Sequence, residues 1–298
     1  MDVLVFGAGS LGSLLGGLLA REHDVTLVGR DPHVRAIRED GLRIEGHVEA
    51  TVHPTARLEA PGSADLAVVC VKSFDTGAAA DALADCALEA CLSVQNGMGN
   101  EAVLADRLEC PVLAGTCTYG AVRTDPGVVR CTGVGDVTVG PPEGGTGPVA
   151  ERVRRAFEAA RIAVSVADDM PRRLLEKLAV NAGINATTAL ARLENGGVLG
   201  GDAGALAAAA TRETAAVARA EGVDLSDRAA ERALESVAAD TADNTSSMHQ
   251  DVRAERRTEV DAINGYVADR ADESGVDAPV NRTLARLLRA WEAGRGLR

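Results

Sequence analysis

Three groups of residues in this chain have types and spacings that could do chemistry. The first is Gly7-Ala8-Gly9-Ser10-Leu11-Gly12, a GxGxxG run directly after the apolar segment Asp2 to Phe6. Between a strand and a helix, Gly7 makes the turn, Gly9 admits a pyrophosphate and Gly12 permits close helix packing, while the N–H groups opening the helix attract phosphate. The chemistry is dinucleotide binding. The following strand ends at Val28-Gly29-Arg30, where a NAD-selective site commonly places an acid for the ribose hydroxyls and a guanidinium pairs instead with a 2′-phosphate. Arg30 therefore favours NADPH/NADP+. Asp31, one residue on, keeps NADH open as the alternative.

The second group contains the only two lysines, Lys72 and Lys177, in a chain with 31 lysines and arginines together. Lys72 follows the expected strand Leu66 to Val71, at the carboxyl end where an open α/β sheet presents its ligand crevice. An exposed loop charge is its plainer reading. Asn96-Gly97 takes the equivalent place after Leu92 to Gln95, where Asn96 either orients a substrate or simply turns the chain. Lys177, Asn181 and Asn185 recur every four residues on one helix face among alanine, leucine and valine, a setting that suits a small polar acid better than solvent. The third group, Ser246, Ser247, Asp251 and Glu259, reads equally well as part of a site or as a helix start with a surface ion pair.

The elements needed to hold these residues are legible from pattern. Strand Asp2 to Phe6, helix Ser10 to about Arg21 and strand Val25 to Val28 form a mononucleotide-binding unit and imply a parallel sheet. Leu42 to Val52 alternates as one or two strands, and Val112 to Thr118 repeats the short buried form of Leu66 to Val71. Val128 to Cys131 and Val137 to Val139 are expected to pair as an antiparallel hairpin around Gly133. A helix is expected over Val149 to Ala160 and a last strand over Ile162 to Val166. After Asp168 the pattern becomes helical: Pro171 to Ala191, Ala203 to Ala220, Ser226 to Thr241, one continuous helix Asp251 to Glu273, and Pro279 to Trp291. The division expected is residues 1–167, an NADP(H)-binding Rossmann domain, and residues 168–298, a helical domain for substrate and catalysis.

Composition narrows the classes. Forty-four acidic residues against 31 basic give a net charge of -13, so a nucleic-acid or membrane-surface partner is not expected. The six cysteines form no CxxC pair and the five histidines show no ligand spacing, which argues for reduced core cysteines and no metal. No apolar run approaches the roughly 18 to 20 residues that cross a bilayer, and the N-terminus enters a strand at once, so a cytoplasmic location is expected.

Together these motifs resemble the ketopantoate reductase (2-dehydropantoate 2-reductase) family over essentially the full chain. The resemblance is carried by the glycine run, Val71-Lys72-Ser73, Gln95-Asn96-Gly97, Glu176-Lys177-Leu178 with Asn181 and Asn185, Ser246-Ser247-Met248, Arg257-Thr258-Glu259-Val260-Asp261 and Ile263-Asn264-Gly265. It implies an α/β Rossmann domain followed by a helical domain like the C-terminal domain of 6-phosphogluconate dehydrogenase. It implies that Lys177 is the general acid, that Asn96, Asn181, Asn185 and Asn195 surround a 2-oxo acid, and that Ser247 helps hold the carboxylate. Lys72, Glu259, Asn96 and Ala121 are placed by the cofactor, although Tyr119-Gly120-Ala121 departs from the family's small or histidine-bearing segment there. The implied reaction is NADPH-dependent reduction of 2-dehydropantoate to (R)-pantoate, a step toward pantothenate and coenzyme A. A reductase of another branched 2-oxo acid and a non-catalytic NADPH-binding sensor are the rival readings, and a homodimer stays open.

Overall fold

The computed structural model describes all residues, 1–298. Its contacts divide the chain into two compact units, one comprising Met1–Gln95 with Gly99–Met170 and the other Asn96–Met98 with Pro171–Arg298.

The first unit is built on an eight-stranded sheet. Its elements run β1 Asp2–Phe6, α1 Ser10–Leu19, β2 Asp24–Val28, α2 His33–Asp40, β3 Leu42–Gly46, β4 Ala50–Val52, β5 Thr55–Arg57, β6 Ser63–Val69, α3 Thr76–Leu83, β7 Ala87–Ser93, α4 Asn100–Ala105, β8 Val112–Cys117, β9 Gly120–Asp125, β10 Val128–Gly133, β11 Asp136–Gly140, α5 Pro148–Ala159 and β12 Ala163–Val166. The main sheet has the order β12-β11-β8-β7-β6-β1-β2-β5. The six strands from β8 to β5 are mutually parallel; β11 pairs antiparallel to β8, and β12 runs parallel to β11. The chain moves outward from β1 through β2 to β5, then returns to lay β6 on the other side of β1. That reversal makes the carboxyl ends of β1 and β6 the switch point at which open α/β sheets bind ligands.

A second sheet, β4-β3-β10-β9, lies against α1. Two glycines let α1 fit between the two sheets: a Cβ on Gly16 would strike Leu27, and one on Gly17 would approach Ile44 at 2.8 Å and Leu42 at 3.0 Å. This second sheet corrects the expected hairpin. Val128–Gly133 pairs antiparallel with Gly120–Asp125 instead, around a turn in which Gly127 has φ +75°, while Asp136–Gly140 joins the main sheet. The residues between β10 and β11 carry the chain from one sheet to the other, so the glycine read as a hairpin turn marks a crossing.

The helical unit is arranged around α6, Met170–Ala191. Its alanines Ala179, Ala182, Ala186 and Ala189 are buried with Leu175 and Leu178 against residues of α7 Gly201–Ala220, α10 Tyr266–Ser274 and α11 Pro279–Ala293. A smaller apolar cluster joins Val180 and Ile184 of α6 to Leu234 and Ala238 of α8, Asp227–Asp240. The helix expected over Asp251 to Glu273 is interrupted. Here α9 covers Ser247–Arg253, Glu255 adopts φ +47°, and a π-helical turn at Asp261–Gly265 leads into α10. Helical bonding stops at Arg253, where the turn through Glu255 closes with Arg256 N–H donating to Asp251 O, and beyond it Glu292 of α11 accepts from Thr258 N–H at 2.7 Å and from the Thr258 hydroxyl at 2.6 Å.

His33 ties the first unit together. Buried at the start of α2, it bonds Ser13 of α1 through Nε2 at 2.9 Å and accepts the Gly127 N–H at Nδ1, also 2.9 Å. Burial, with the Arg123 charge adding to it, pushes its pKa from 6.5 down to about 4. The folded protein therefore holds His33 neutral while the unfolded chain protonates it below pH 6.5. The stability this confers is complete above pH 6.5 and falls as pH drops toward 4, by about 3 kcal/mol at most. Urea unfolding at pH 7.5 and pH 4.5 should show a smaller acid loss for His33→Gln than for the wild type; equal losses would remove His33 from the account.

Candidate active site

Each unit carries its own set of the predicted residues. In the first, the glycine turn follows β1 as expected. Gly7 has φ +107°, a conformation that favours glycine, and Gly7 and Ala8 both donate to Val28 O, at 2.9 and 2.8 Å. A Cβ on Gly12 would overlap Gly7 O, so α1 can start this close to β1 only without a side chain there. Gly9 is exposed, and the nearest heavy atom to a Cβ built on it is Gly7 O at 4.0 Å. The first helical bond of α1 runs from Ser13 N to Gly9 O at 3.0 Å, so the N–H groups of Ser10, Leu11 and Gly12 precede the helical ladder. Open space over Gly9, bordered by helix-initiating N–H groups, is a cradle that fits a dinucleotide pyrophosphate.

The other cofactor-side candidates of this unit lie along the same edge. Arg30 follows β2; its side chain is 88% exposed, and its one ion pair, to Asp75, spans 3.4 Å. Such a contact holds the guanidinium weakly and leaves it available to an anion. Lys72 is half-buried beyond the end of β6, in extended conformation before a 3-10 turn at Ser73–Asp75. Ala121 is half-buried on β9. Two residues along, Arg123 N–H donates to the Ser10 hydroxyl at 3.0 Å, which keeps β9 beside the glycine turn.

In the helical unit Lys177 and Asn181 are half-buried and Asn185 is 6% exposed, all on α6. At 1.5 Å per residue they are spaced about 6 Å apart along the axis, a row that a small acid can span in part. The helix is anchored by side chains that bond its backbone. Asn264 Nδ2 donates to Ala182 O at 3.0 Å and to Asn281 Oδ1 at 2.9 Å, and Asn281 Nδ2 donates in turn to Glu213 Oε2 at 2.9 Å.

Ser246 caps α9, accepting from His249 N–H at 3.2 Å, and its hydroxyl meets Thr188 Oγ1 at 2.7 Å. Since Thr188 is three residues after Asn185, the start of α9 lies beside the end of the polar row, with Ser247 exposed as its first residue. Asn96 Nδ2 donates to Glu259 Oε2 at 3.4 Å, and Met98 N–H donates to Ala262 O at 3.1 Å. Glu259 is 5% exposed.

Asn195 and Asp251 stand apart from these groups. Asn195 comes after α6 has ended; its Nδ2 donates to Thr241 Oγ1 at 2.9 Å and its N–H to Asn244 O at 2.9 Å, so it pins the connection to the end of α8. Asp251 accepts from Arg256 at 3.2 Å, an intrachain brace of the turn after α9.

Sequence reasoning passed over Glu292, which is fully buried yet carries a carboxylate. Through Thr258 it holds the residue before Glu259, and the Thr258 hydroxyl also accepts from Val260 N–H at 3.3 Å. Nearby, burial alone would raise the Asp261 carboxyl, but the hydrogen bond from Arg289 and the charges of Arg298 and Arg289 hold it below its usual range. A signal for Glu292 did exist. It falls four residues after Leu288 and eight after Leu284, on the buried face of an amphipathic helix.

A parallel-sheet unit with a glycine turn open over Gly9, followed in the chain by a helical unit with a lysine and two asparagines along one helix, is the architecture of a dinucleotide-dependent oxidoreductase class. Comparison with known proteins makes this specific. Residues 3–144 match the family model "Ketopantoate reductase PanE/ApbA", and residues 169–292 match "Ketopantoate reductase PanE/ApbA C terminal". The chain is 44% identical to a 2-dehydropantoate 2-reductase of Halobacterium salinarum, over 97% of this chain and 98% of that one. It is similar to the crystal structure of a PanE/ApbA family ketopantoate reductase from Ralstonia eutropha JMP134, with TM-score 0.90 and 34% identity over 99% of this chain and 100% of that chain. A D-mandelate dehydrogenase solved with NADH and anilino(oxo)acetate shares the fold, with TM-score 0.92 at 23% identity over all of both chains. The chain belongs to the ketopantoate reductase family.

Gly9 and Gly12 allow binding to be tested separately from packing. Gly9→Ala should keep the fold within about 1 kcal/mol of wild type yet weaken dinucleotide binding at least about tenfold, because the added methyl fills the cradle. Gly12→Ala should destabilise by about 1 to 3 kcal/mol through overpacking. Thermal unfolding without dinucleotide, paired with titration, checks both; wild-type affinity in Gly9→Ala would remove the pyrophosphate from this turn.

Proposed function

We propose that the protein reduces 2-dehydropantoate to (R)-pantoate, with a nicotinamide dinucleotide as hydride donor and NADPH as the preferred form. The observation that carries this reading is the row of Lys177, Asn181 and Asn185 on the partly to fully buried face of α6, in a chain similar over 97% of its length to a named 2-dehydropantoate 2-reductase.

A bound dihydronicotinamide would supply the hydride to the keto carbon. The protein's own contribution begins with the glycine turn, Gly7 to Gly12, whose N–H groups and open space bind the pyrophosphate. Lys72 and Arg30 add positive charge on the same edge, and Ala121 lines it. In the helical unit, the Asn181 and Asn185 amides donate to the acid and the Ser247 hydroxyl adds a donor for its carboxylate. Asn96, oriented by the Glu259 carboxylate, presents its amide to substrate and cofactor. Asn195 supports this arrangement from outside the row through its bond to Thr241. Lys177 hydrogen-bonds the keto oxygen and gives it a proton as alkoxide charge develops. One hydride and one proton added across the carbonyl give the 2-hydroxy acid.

Three measurements test this. Oxidation of NADPH followed spectroscopically should be faster with 2-dehydropantoate than with other branched 2-oxo acids; a preference for another acid would reassign the substrate. Arg30→Ala should cost NADPH about 1 to 3 kcal/mol more than NADH, the value of a charge-assisted hydrogen bond, and equal losses would detach Arg30 from phosphate recognition. Lys177→Ala should bind NADPH normally while kcat drops by about 100-fold or more, with partial recovery in Lys177→Arg, which keeps the charge but donates a proton poorly. A near-normal kcat in Lys177→Ala would exclude it as the acid.

A further inference from the structure

The segment that carries Lys72 is gripped from two sides within the first unit. On one side is the glycine turn. A Cβ on Gly7 would come within 2.7 Å of Val71 N and 2.9 Å of the Cys70 carbonyl carbon, and Cys70 N–H donates to Phe6 O at 2.8 Å. On the other side is Gln95, only 6% exposed. Its Nε2 donates to the Val71 carbonyl at 3.1 Å and to the Thr76 hydroxyl at 2.7 Å. Thr76, 2% exposed, shares its own hydroxyl hydrogen between Ser73 O and Asn100 Oδ1, each at 2.9 Å. The backbone is thus bonded immediately before Lys72, at Val71, and immediately after it, at Ser73.

Strand pairing does not require this buried network. The ladder between β6 and β7 already runs from Ser63 opposite Ala87 to Val69 opposite Ser93, and the Gln95 bonds lie beyond its end. A buried primary amide is costly unless each of its groups is satisfied. Both donor hydrogens of this one go to the Val71–Thr76 loop, so what they fix is the loop.

We propose that Gln95 is a positioning residue for dinucleotide binding, holding the backbone on both sides of Lys72 against the glycine turn so that the lysine meets the cofactor in one geometry. The proposal rests on the cofactor-binding reading of Lys72 given above. A lysine has four rotatable methylenes and no directional fork. Its contribution to affinity therefore depends on how little of its anchoring backbone must be ordered on binding.

A double-mutant cycle in the full chain, read by NADPH titration, tests this. Lys72→Ala should weaken NADPH about tenfold and Gln95→Ala about fivefold, while the double variant should bind within about twofold of Lys72→Ala alone. Thr76→Val should reproduce Gln95→Ala and Thr76→Ser should restore wild-type affinity, which keeps the test decisive if Gln95→Ala folds poorly. Losses that multiply in the double variant would mean that Gln95 acts only on the fold and would overturn the proposal. If Lys72→Ala binds as wild type, the cofactor role of Lys72 fails and the positioning role with it. If Lys72→Ala binds weakly while Gln95→Ala and Thr76→Val bind as wild type, the positioning role alone fails.

Discussion

At Gly7 the chain leaving β1 must pass both the start of α1 at Gly12 and the Val71 segment after β6. Side chains at Gly7 or Gly12 would overlap main-chain atoms, which cannot move aside as a flexible side chain can. Because β1 sits between β2 and β6, this crowding occurs at the switch point of the sheet, and it brings three strand ends to one edge. The glycine turn, Arg30 and Lys72 share that edge for this reason. Close packing at Gly12 and open space over Gly9 both follow from missing Cβ atoms.

The helical unit solves a different problem, the burial of polar groups on a helix that must also pack. Alanines let α6 lie close to its neighbours, while its carbonyls at Ala179 and Ala182 accept from Thr211 at 3.1 Å and Asn264 at 3.0 Å. Such bonds cross between helices and fix α6 in rotation and along its axis, which apolar contact alone specifies less tightly. The interrupted segment between α9 and α10 follows the same logic. The buried Glu292 carboxylate takes over the Thr258 N–H that a continuous helix would have bonded, and the freed turn presents Glu259 to Asn96. Removing one partner from such a set leaves a buried polar group unsatisfied, which costs more than the bond itself contributes.

Much of this molecule is legible in its sequence because the signals are local. The glycine run between strand and helix, the strand ends at Arg30 and Lys72, the four-residue recurrence of Lys177, Asn181 and Asn185, and the change to helical periodicity after Asp168 all depend on residues within one or two turns of each other. What failed depended on distant partners. Val128–Gly133 and Asp136–Gly140 have the alternation of a hairpin, but pairing is decided by which strands already offer free edges. The first found β3 and β9 and the second found β8 and β12.

The segment after the end of α9 likewise depends on a distant partner, since the carboxylate that holds Thr258 comes from 34 residues beyond it. In the sequence Gln95 is the end of an expected strand, and Glu292 directly follows the expected helix Pro279 to Trp291. Their burial and partners exist only once strands β6 and β7 end side by side and α11 packs onto the turn before the π-helical segment. By itself the sequence determined the types and local spacing of the chemical groups, because periodicity and turn chemistry act over a few residues. Only the tertiary structure decided which partners those groups find and which backbone they hold, because a hydrogen bond across 34 residues has no local signature.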